Sequence, residues 1–272
     1  MTVIGRDRRG GHPAAPPFAR RNRRPAGSMR HSVATVTCLS SALVTCLLLA
    51  PAGGQAARAK VIAPQQDTVT LLGAQVVRGK PSGSGKRLAR VTAKRPLTGA
   101  RTVLPMLAQV QDDHGRFWLR VRLPGRALGG RTPPRTGWIS ASNTMRSTTP
   151  WHIVVNVGAR RVLVYRAGRR VHSYAAIVGT PSTPTPRGEY FVEENVKLSA
   201  SRAGAPFALA LSARSSVFQE FEGGPGQIAI HGVNNIGGQL GTAVSHGCVR
   251  LATGSVAWLA ARIKPGAPVT IV

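Results

Sequence analysis

Near the C-terminal end of the chain three side chains could do chemistry together: the thiol of Cys248 and the imidazoles of His231 and His246. A thiol attacks carbonyl carbon only as thiolate, and a nearby imidazole is the usual means of generating it. Cys248 follows His231 by seventeen residues, across a loop rich in Gly and Asn. The glycines at 232, 237, 238, 241 and 247 let backbone approach a substrate closely. Consecutive amides around Gly247-Cys248 could donate to a developing oxyanion. A carboxylate that would orient the imidazole is missing locally, since no Asp or Glu follows Glu222. His231 must therefore be held by an earlier acid, by Asn234 or Asn235, or by a backbone carbonyl, of which Gly232 offers the local one.

Blander readings compete with this one. A lone cysteine is commonly buried filler, His246 before a glycine suits a turn, and Arg250 could be one more surface charge. Cys248, His231 and His246 could ligate zinc, but no acidic fourth ligand lies nearby.

The elements that position these residues read as strands and one helix. Gln227–Gly232 is a strand with Ile228 and Ile230 on one face and Ala229 and His231 on the other. Residues 151–157 and 161–165 flank Gly158-Ala159-Arg160, a hairpin signal. Residues 175–179 and 190–192 continue the β pattern, with a rigid Pro- and Thr-rich loop between them. Residues 198–206 are small and polar, with the composition of a mobile loop. Apolar positions 256, 259, 260 and 263 predict a helix over 255–263, stopped by Pro265-Gly266, before a last strand at 268–272.

Upstream, residues 68–72, 101–106, 117–123 and 136–139 read as short strands separated by Gly and Pro. In 117–123, Phe117, Leu119, Val121 and Leu123 share one face and Trp118, Arg120 and Arg122 the other. Trp118 is expected to pack at a core or edge rather than serve as a ligand platform. The stretch from Gly115 to Ile139 resembles the Src-homology-type β-barrels found beside bacterial cell-wall enzymes. The polar stretch 140–150 reads as a linker.

The N-terminal segment has a different character. Eight Arg, one Asp and prolines at 13, 16, 17 and 25 fall within residues 1–30, with no helical or strand period. An uncharged apolar run over 33–50 and a small-residue exit at 56–59 complete the pattern of a secretory signal. A retained membrane anchor is the alternative, because the run approaches the ~18–20 residues a span requires. Met29 could be the true start, and the paired arginines lack a convincing twin-arginine context. The formal charge of +28 falls to +20 once the nine Arg and one Asp of residues 1–59 are removed. Three cysteines become one, Cys248, which excludes a disulfide framework. Such a charge attracts nucleic acid, membranes and anionic wall polymers alike. The arginines lack the aromatic interleaving of a nucleic-acid binder, so no nucleic-acid partner is expected.

His231-Gly232 followed by Ser245-His246-Gly247-Cys248-Val249-Arg250 resembles the signature of the L,D-transpeptidase catalytic family, enzymes that remodel peptidoglycan. The resemblance covers about residues 150–272, and residues 183–188 and the closing strand also fit it. It implies a mainly β, two-sheet β-sandwich catalytic domain with one or two short helices over 149–272; the Src-homology-like stretch places a small wall-associated β-barrel over 60–148 before it. It implies Cys248 as nucleophile and His231 as base, with Ser245, His246 and Gly247 shaping the oxyanion pocket. Many members carry Asn where this chain has Arg250; Arg there is taken to help place substrate. The substrate would be a tetrapeptide stem, attacked at its third residue with release of the terminal D-alanine. A neighbouring stem would resolve the thioester as cross-linker, or water as L,D-carboxypeptidase. A non-catalytic basic wall-binding protein is the reading from another class. No metal or organic cofactor is implied; a monomer outside the cytoplasm, among peptidoglycan stems and anionic wall polymers and acylated by carbapenems, is.

Overall fold

In a computed structural model of the chain, residues 61–125, 134–215, 217, 220–221 and 224–272 are described. The leader and secretory signal read at 1–59, with the start considered at Met29, lie outside the described residues. Among those described, no helix is long and apolar enough to cross a membrane.

The fold is mainly β, with one helix among the described residues. In chain order the strands are β1 (Gln66–Leu71), β2 (Gln75–Arg78), β3 (Arg87–Val91), β4 (Val103–Gln111), β5 (Phe117–Arg122), β6 (Thr136–Ser140) and β7 (Thr144–Thr149). They are followed by β8 (Trp151–Asn156), β9 (Arg161–Arg166), β10 (Arg169–Ala175), β11 (Val178–Gly179), β12 (Gly188–Lys197) and β13 (Phe207–Arg214). The last are β14 (Glu220–Phe221), β15 (Gly224–Pro225), β16 (Gln227–Gly232), β17 (Ala243–Ser245), β18 (Val249–Leu251), the helix α1 (Thr253–Arg262) and β19 (Pro268–Ile271).

The first seven strands form one antiparallel sheet in the order β3-β2-β6-β5-β4-β1-β7. Val69, Leu71, Val77, Val91, Leu104, Leu119, Val121 and Ile139 from six of these strands meet in a single core, so the sheet wraps round on itself. One sequence expectation needs correction here. The stretch expected as a linker contains β7, which pairs with β1 at six consecutive positions from Gln66↔Thr149 to Leu71↔Thr144. An edge strand with one solvated side needs no apolar alternation, and its backbone pairing leaves no composition signal. In β5 the expected face of Leu119, Val121 and Leu123 enters the core, while Phe117, at the strand's start, is 45% exposed. Trp118, on the opposite face and outside that core, is still only 6% exposed, with its indole N–H donating to Asp112 Oδ2 at 2.9 Å across the β4–β5 turn, as packing at an edge requires.

The second sheet is mixed, ordered β10-β9-β8-β19-β12-β13-β16-β18. Its two parallel contacts are β19 with β8 and β16 with β18. β12 bends it. Residues 188–191 pair with β19, whereas 192–197 pair with β13 across a register shift between Val192 and Glu194. The two wings close on one core with Val256, Leu259 and Ala260, the apolar stripe of α1, and with Ile263 just past its end. β10 and β13 escaped the sequence reading. β13 (Phe-Ala-Leu-Ala-Leu-Ser-Ala-Arg) is buried on both faces, and so shows no period-2 alternation.

β12 is also the shared wall between the sheets: Val192 enters the second core while Phe191 enters the first. Glu193 and Glu194, both essentially buried, ion-pair with Arg95 at the register shift, Glu194 Oε1 at 3.6 Å from Arg95 Nε. Glu193 Oε1 also accepts from Gly125 N (2.8 Å), and Glu194 Oε2 from the amide and hydroxyl of Thr98 (2.9 Å each). Burial pushes the Glu193 carboxyl up, and the charges of Arg95 and Arg214 oppose it. This buried network ties the first sheet to the strand whose far end leads into the site.

Candidate active site

β16 and β18 run side by side in parallel, with Ile230 opposite Val249 and His231 opposite Arg250. The residue before Val249 is Cys248, which this register sets beside Ala229. The Ala229 N–H reaches Cys248 Sγ at 3.4 Å. Ala229 and His231 share a strand face and lie two residues apart, about 6.6 Å along the strand. Thiol and imidazole thus occupy one face of two paired strands, a step apart.

The imidazole is held from its far side. His231 Nδ1 lies 2.8 Å from Gly232 O. A carbonyl only accepts, so the proton sits on Nδ1 and Nε2 keeps the lone pair of a base. Asn234 and Asn235 are engaged elsewhere: Asn234 Oδ1 accepts from Thr253 Oγ1 (2.6 Å), and Asn235 Nδ2 donates to Ala200 O and Arg202 O. Of the orienters left open by the sequence, the Gly232 carbonyl makes the bond. Gly232 is fixed in turn, because its N–H donates to Gly204 O and the Gly204 N–H donates to Asn234 O, both at 2.8 Å.

Gly204 has a role that the sequence reading missed. Its φ is +83°, and a Cβ there would lie 2.5 Å from His231 Nδ1. The loop 198–206 is therefore packed directly against the imidazole, and only glycine fits at that point. A Gly in a small-residue loop some twenty-five positions upstream carries no sequence signal of this contact.

The segment before Cys248 is clamped by the Pro- and Thr-rich loop. Ser245 is fully buried; its hydroxyl donates to Cys248 O (2.6 Å) and accepts from Gly247 N (3.1 Å). Ser245 O accepts from Thr180 N and Thr183 Oγ1, both at 3.0 Å. Thr185, 2% exposed, accepts from Gly179 N and donates to Gly247 O, both at 2.9 Å. With the Gly247 carbonyl pulled toward Thr185, the Cys248 N–H, trans across the same peptide, points the opposite way. His246 is exposed, its backbone threaded between Ser245 and Gly247. The sequence marks Thr183 and Thr185 only as parts of a rigid loop, and hydroxyls spaced between prolines are the one hint of this clamp.

Arg250 is 7% exposed, and its backbone exchanges two hydrogen bonds of 2.9 Å with Ile177. Its Nη1 donates to Gly237 O at 3.3 Å. Burial pushes the Cys248 thiol up, while the Ala229 N–H and the Arg250 charge pull it down. Burial also pulls His231 down; the bond to Gly232 opposes this, and the Arg250 charge reinforces it. The resting pair is therefore neutral thiol and neutral imidazole. Among the described residues, no three His, Cys, Asp or Glu side chains converge as a metal-binding group.

The model of the L,D-transpeptidase catalytic domain family, YkuD, matches residues 150–271. The YkuD protein of Bacillus subtilis (strain 168) is 32% identical over 127 residues, spanning 46% of this chain and 67% of that protein. Among solved structures, an L,D-transpeptidase from Mycobacterium smegmatis shares 17% identity over 58% of this chain and 90% of its own, with a TM-score of 0.36. Another from Mycobacterium tuberculosis H37Rv shares 16% over 75% and 96%, with a TM-score of 0.39. By the family match and the Bacillus relative, the chain belongs to the L,D-transpeptidase family, with its catalytic domain in the half that carries His231 and Cys248.

Proposed function

We propose that the protein is an exported L,D-transpeptidase that cross-links peptidoglycan stem peptides through a thioester on Cys248. The observation that carries this is the Gly232-anchored imidazole of His231 on the strand paired beside Cys248. Nε2 of His231 takes the Cys248 thiol proton as sulfur attacks the carbonyl of the third stem residue. The tetrahedral oxyanion forms against the Cys248 N–H, whose direction is set by Thr185 through Gly247. Collapse breaks the amide C–N bond, the His231 imidazolium returns its proton to the leaving amine, and D-alanine departs. A side-chain amine of a neighbouring stem then attacks the thioester, gives a proton to His231, and passes the acyl group to nitrogen as the thiol is restored.

Ser245 and Gly247 hold the loop, while the backbone at His246 and Gly247 shapes the oxyanion pocket. Arg250 biases both titrating groups, favouring thiolate over thiol and neutral imidazole over imidazolium, besides helping to place substrate. Residues 60–148 form a wall-associated module and residues 149–272 the catalytic domain. The basic charge serves retention among anionic wall polymers, a salt-sensitive and nonspecific attraction.

The test is incubation of purified protein with disaccharide-tetrapeptides, followed by mass spectrometry. D-Alanine release and stem dimers are expected from wild type and not from Cys248→Ala. Release without dimers would reassign the acceptor to water. Neither product, or equal product from Cys248→Ala, would overturn the reading in favour of a non-catalytic wall binder.

A further inference from the structure

Between the two sheets lies a cavity of about 260 Å³ that the chemistry above does not use. One wall comes from the end of β5 and the approach to β6, with Arg122, Leu123, Pro124 and Arg135; the other from the entry to β12 and from β13, with Arg187, Tyr190, Ser212 and Arg214. Four guanidinium groups line it, against a single carboxylate, Glu189. That carboxylate is drawn partly toward β19, where its Oε2 accepts from Thr270 Oγ1 at 3.1 Å.

The arginines are convergent rather than scattered. Arg122 Nη1 donates to Glu189 O (2.9 Å) and Arg214 Nε donates to Gly125 O, so both are pinned across the junction. Burial lowers the Arg122 pKa, the Glu189 charge opposes this and the Arg135 charge adds to it; Arg135 also counters the effect of burial on the Tyr190 hydroxyl, so it lies close to two separate wall residues. Guanidinium groups brought to one partly buried wall attract an anion placed between them. Ser212, 7% exposed, adds a hydroxyl whose oxygen already accepts from Phe191 N at 3.1 Å, which directs its O–H to a different partner.

The remaining surface narrows the ligand. Leu123, Pro124, Pro134, Pro186 and the Tyr190 ring make the wall largely apolar, and the volume far exceeds that of one water. A bare inorganic ion would leave this surface uncovered.

We propose that this cavity binds an organic oxyanion: a carboxylate or phosphodiester borne on a larger chain, gripped by Arg122, Arg135, Arg187 and Arg214 while its carbon skeleton lies against Tyr190 and the prolines. Planar guanidinium forks suit either oxyanion bidentately. The site stands apart from Cys248 chemistry and does not depend on it.

Isothermal titration calorimetry at physiological salt tests it, with the full chain in a Cys248→Ala background so that turnover plays no part. The probes are a short poly(glycerol phosphate) and a disaccharide-tetrapeptide, the latter also with its carboxylates amidated. The pocket variant is Arg135→Gln/Arg187→Gln, both exposed side chains. A charge-matched control, Arg169→Gln/Arg170→Gln, removes the same two charges from exposed positions on β10. Circular dichroism confirms that both variants fold. One-to-one binding of a probe is expected, weakened about tenfold or more in the pocket variant and less than about twofold in the control. Loss of tetrapeptide binding on amidation identifies the carboxylate source, and saturable binding of poly(glycerol phosphate) the phosphodiester. Equal weakening in both variants, or no saturable binding of either probe, overturns the proposal.

Discussion

Replacing Thr185 by Val keeps the side-chain shape while deleting one hydroxyl, so it isolates the clamp on the Gly247–Cys248 peptide. Thr185 is 2% exposed and serves two buried backbone groups, the Gly179 N–H and the Gly247 carbonyl, at 2.9 Å each. Valine leaves both unsatisfied, and each buried orphan costs about 1–3 kcal/mol, so unfolding free energy should fall by about 3 kcal/mol. The rate carries a separate consequence. A freed Gly247 carbonyl lets its peptide plane rotate, and the Cys248 N–H loses its fixed aim. Loss of one oxyanion donor slows acyl transfer about 10²–10³-fold. Acylation of Cys248 by a carbapenem, followed by absorbance, measures the rate; urea denaturation measures stability. Thr185→Ser, which restores the hydroxyl, should recover most of both. A Thr185→Val protein that is destabilised yet acylates at the wild-type rate would refute the link from Thr185 to the oxyanion.

His231 is held below its ordinary value of 6.5, by burial first and by the Arg250 charge as well. The base must be neutral, so acylation should persist to a pH below 6.5 before its acid limb. Arg250→Gln should move that limb upward, as a pH–rate profile would show. The same depression means the unfolded chain binds more protons than the folded one between the folded pKa and 6.5. This group's contribution to stability therefore falls as pH drops through that window, measurable by urea titration. Gly204→Ala forces a Cβ to within 2.5 Å of His231 Nδ1 at a φ of +83°. Backbone strain alone costs about 1–2 kcal/mol, and displacement of the ring should slow acylation at least about tenfold, read by melting and by acylation kinetics. Glu193→Gln removes one of the two carboxylates facing buried Arg95 and should destabilise the protein by about 1–3 kcal/mol in urea unfolding, since a charge-assisted hydrogen bond is lost while Glu194, at 3.6 Å, remains to pair the guanidinium.

What the sequence displayed was whatever lies contiguous along the chain. The strand Gln227–Gly232 carries alternating burial, and the helix stripe at 256, 259, 260 and 263 is a 3.6-residue repeat, so both were legible as patterns. The Ser245–Cys248 run could be read as a unit because its internal bonds span only two or three residues. β7 was invisible because an exposed edge strand shows no alternation, and β13 because burial on both faces erases it. Thr185 and Gly204 act across gaps of 62 and 27 residues, on Gly247 and His231. Such contacts exist only once the sheet has brought distant loops together. The burial of Trp118 outside the core rests on one acceptor, Asp112, whose position depends on the turn it belongs to.

The proposed chemistry turns on Cys248 carrying the acyl group. Brief incubation with a disaccharide-tetrapeptide, acid quench and peptide mapping by mass spectrometry reads it directly. An adduct of stem mass less D-alanine is expected on the fragment containing Cys248, labile to thiols and lost in Cys248→Ala. An adduct on any other residue, or D-alanine release that survives in Cys248→Ala, would contradict it.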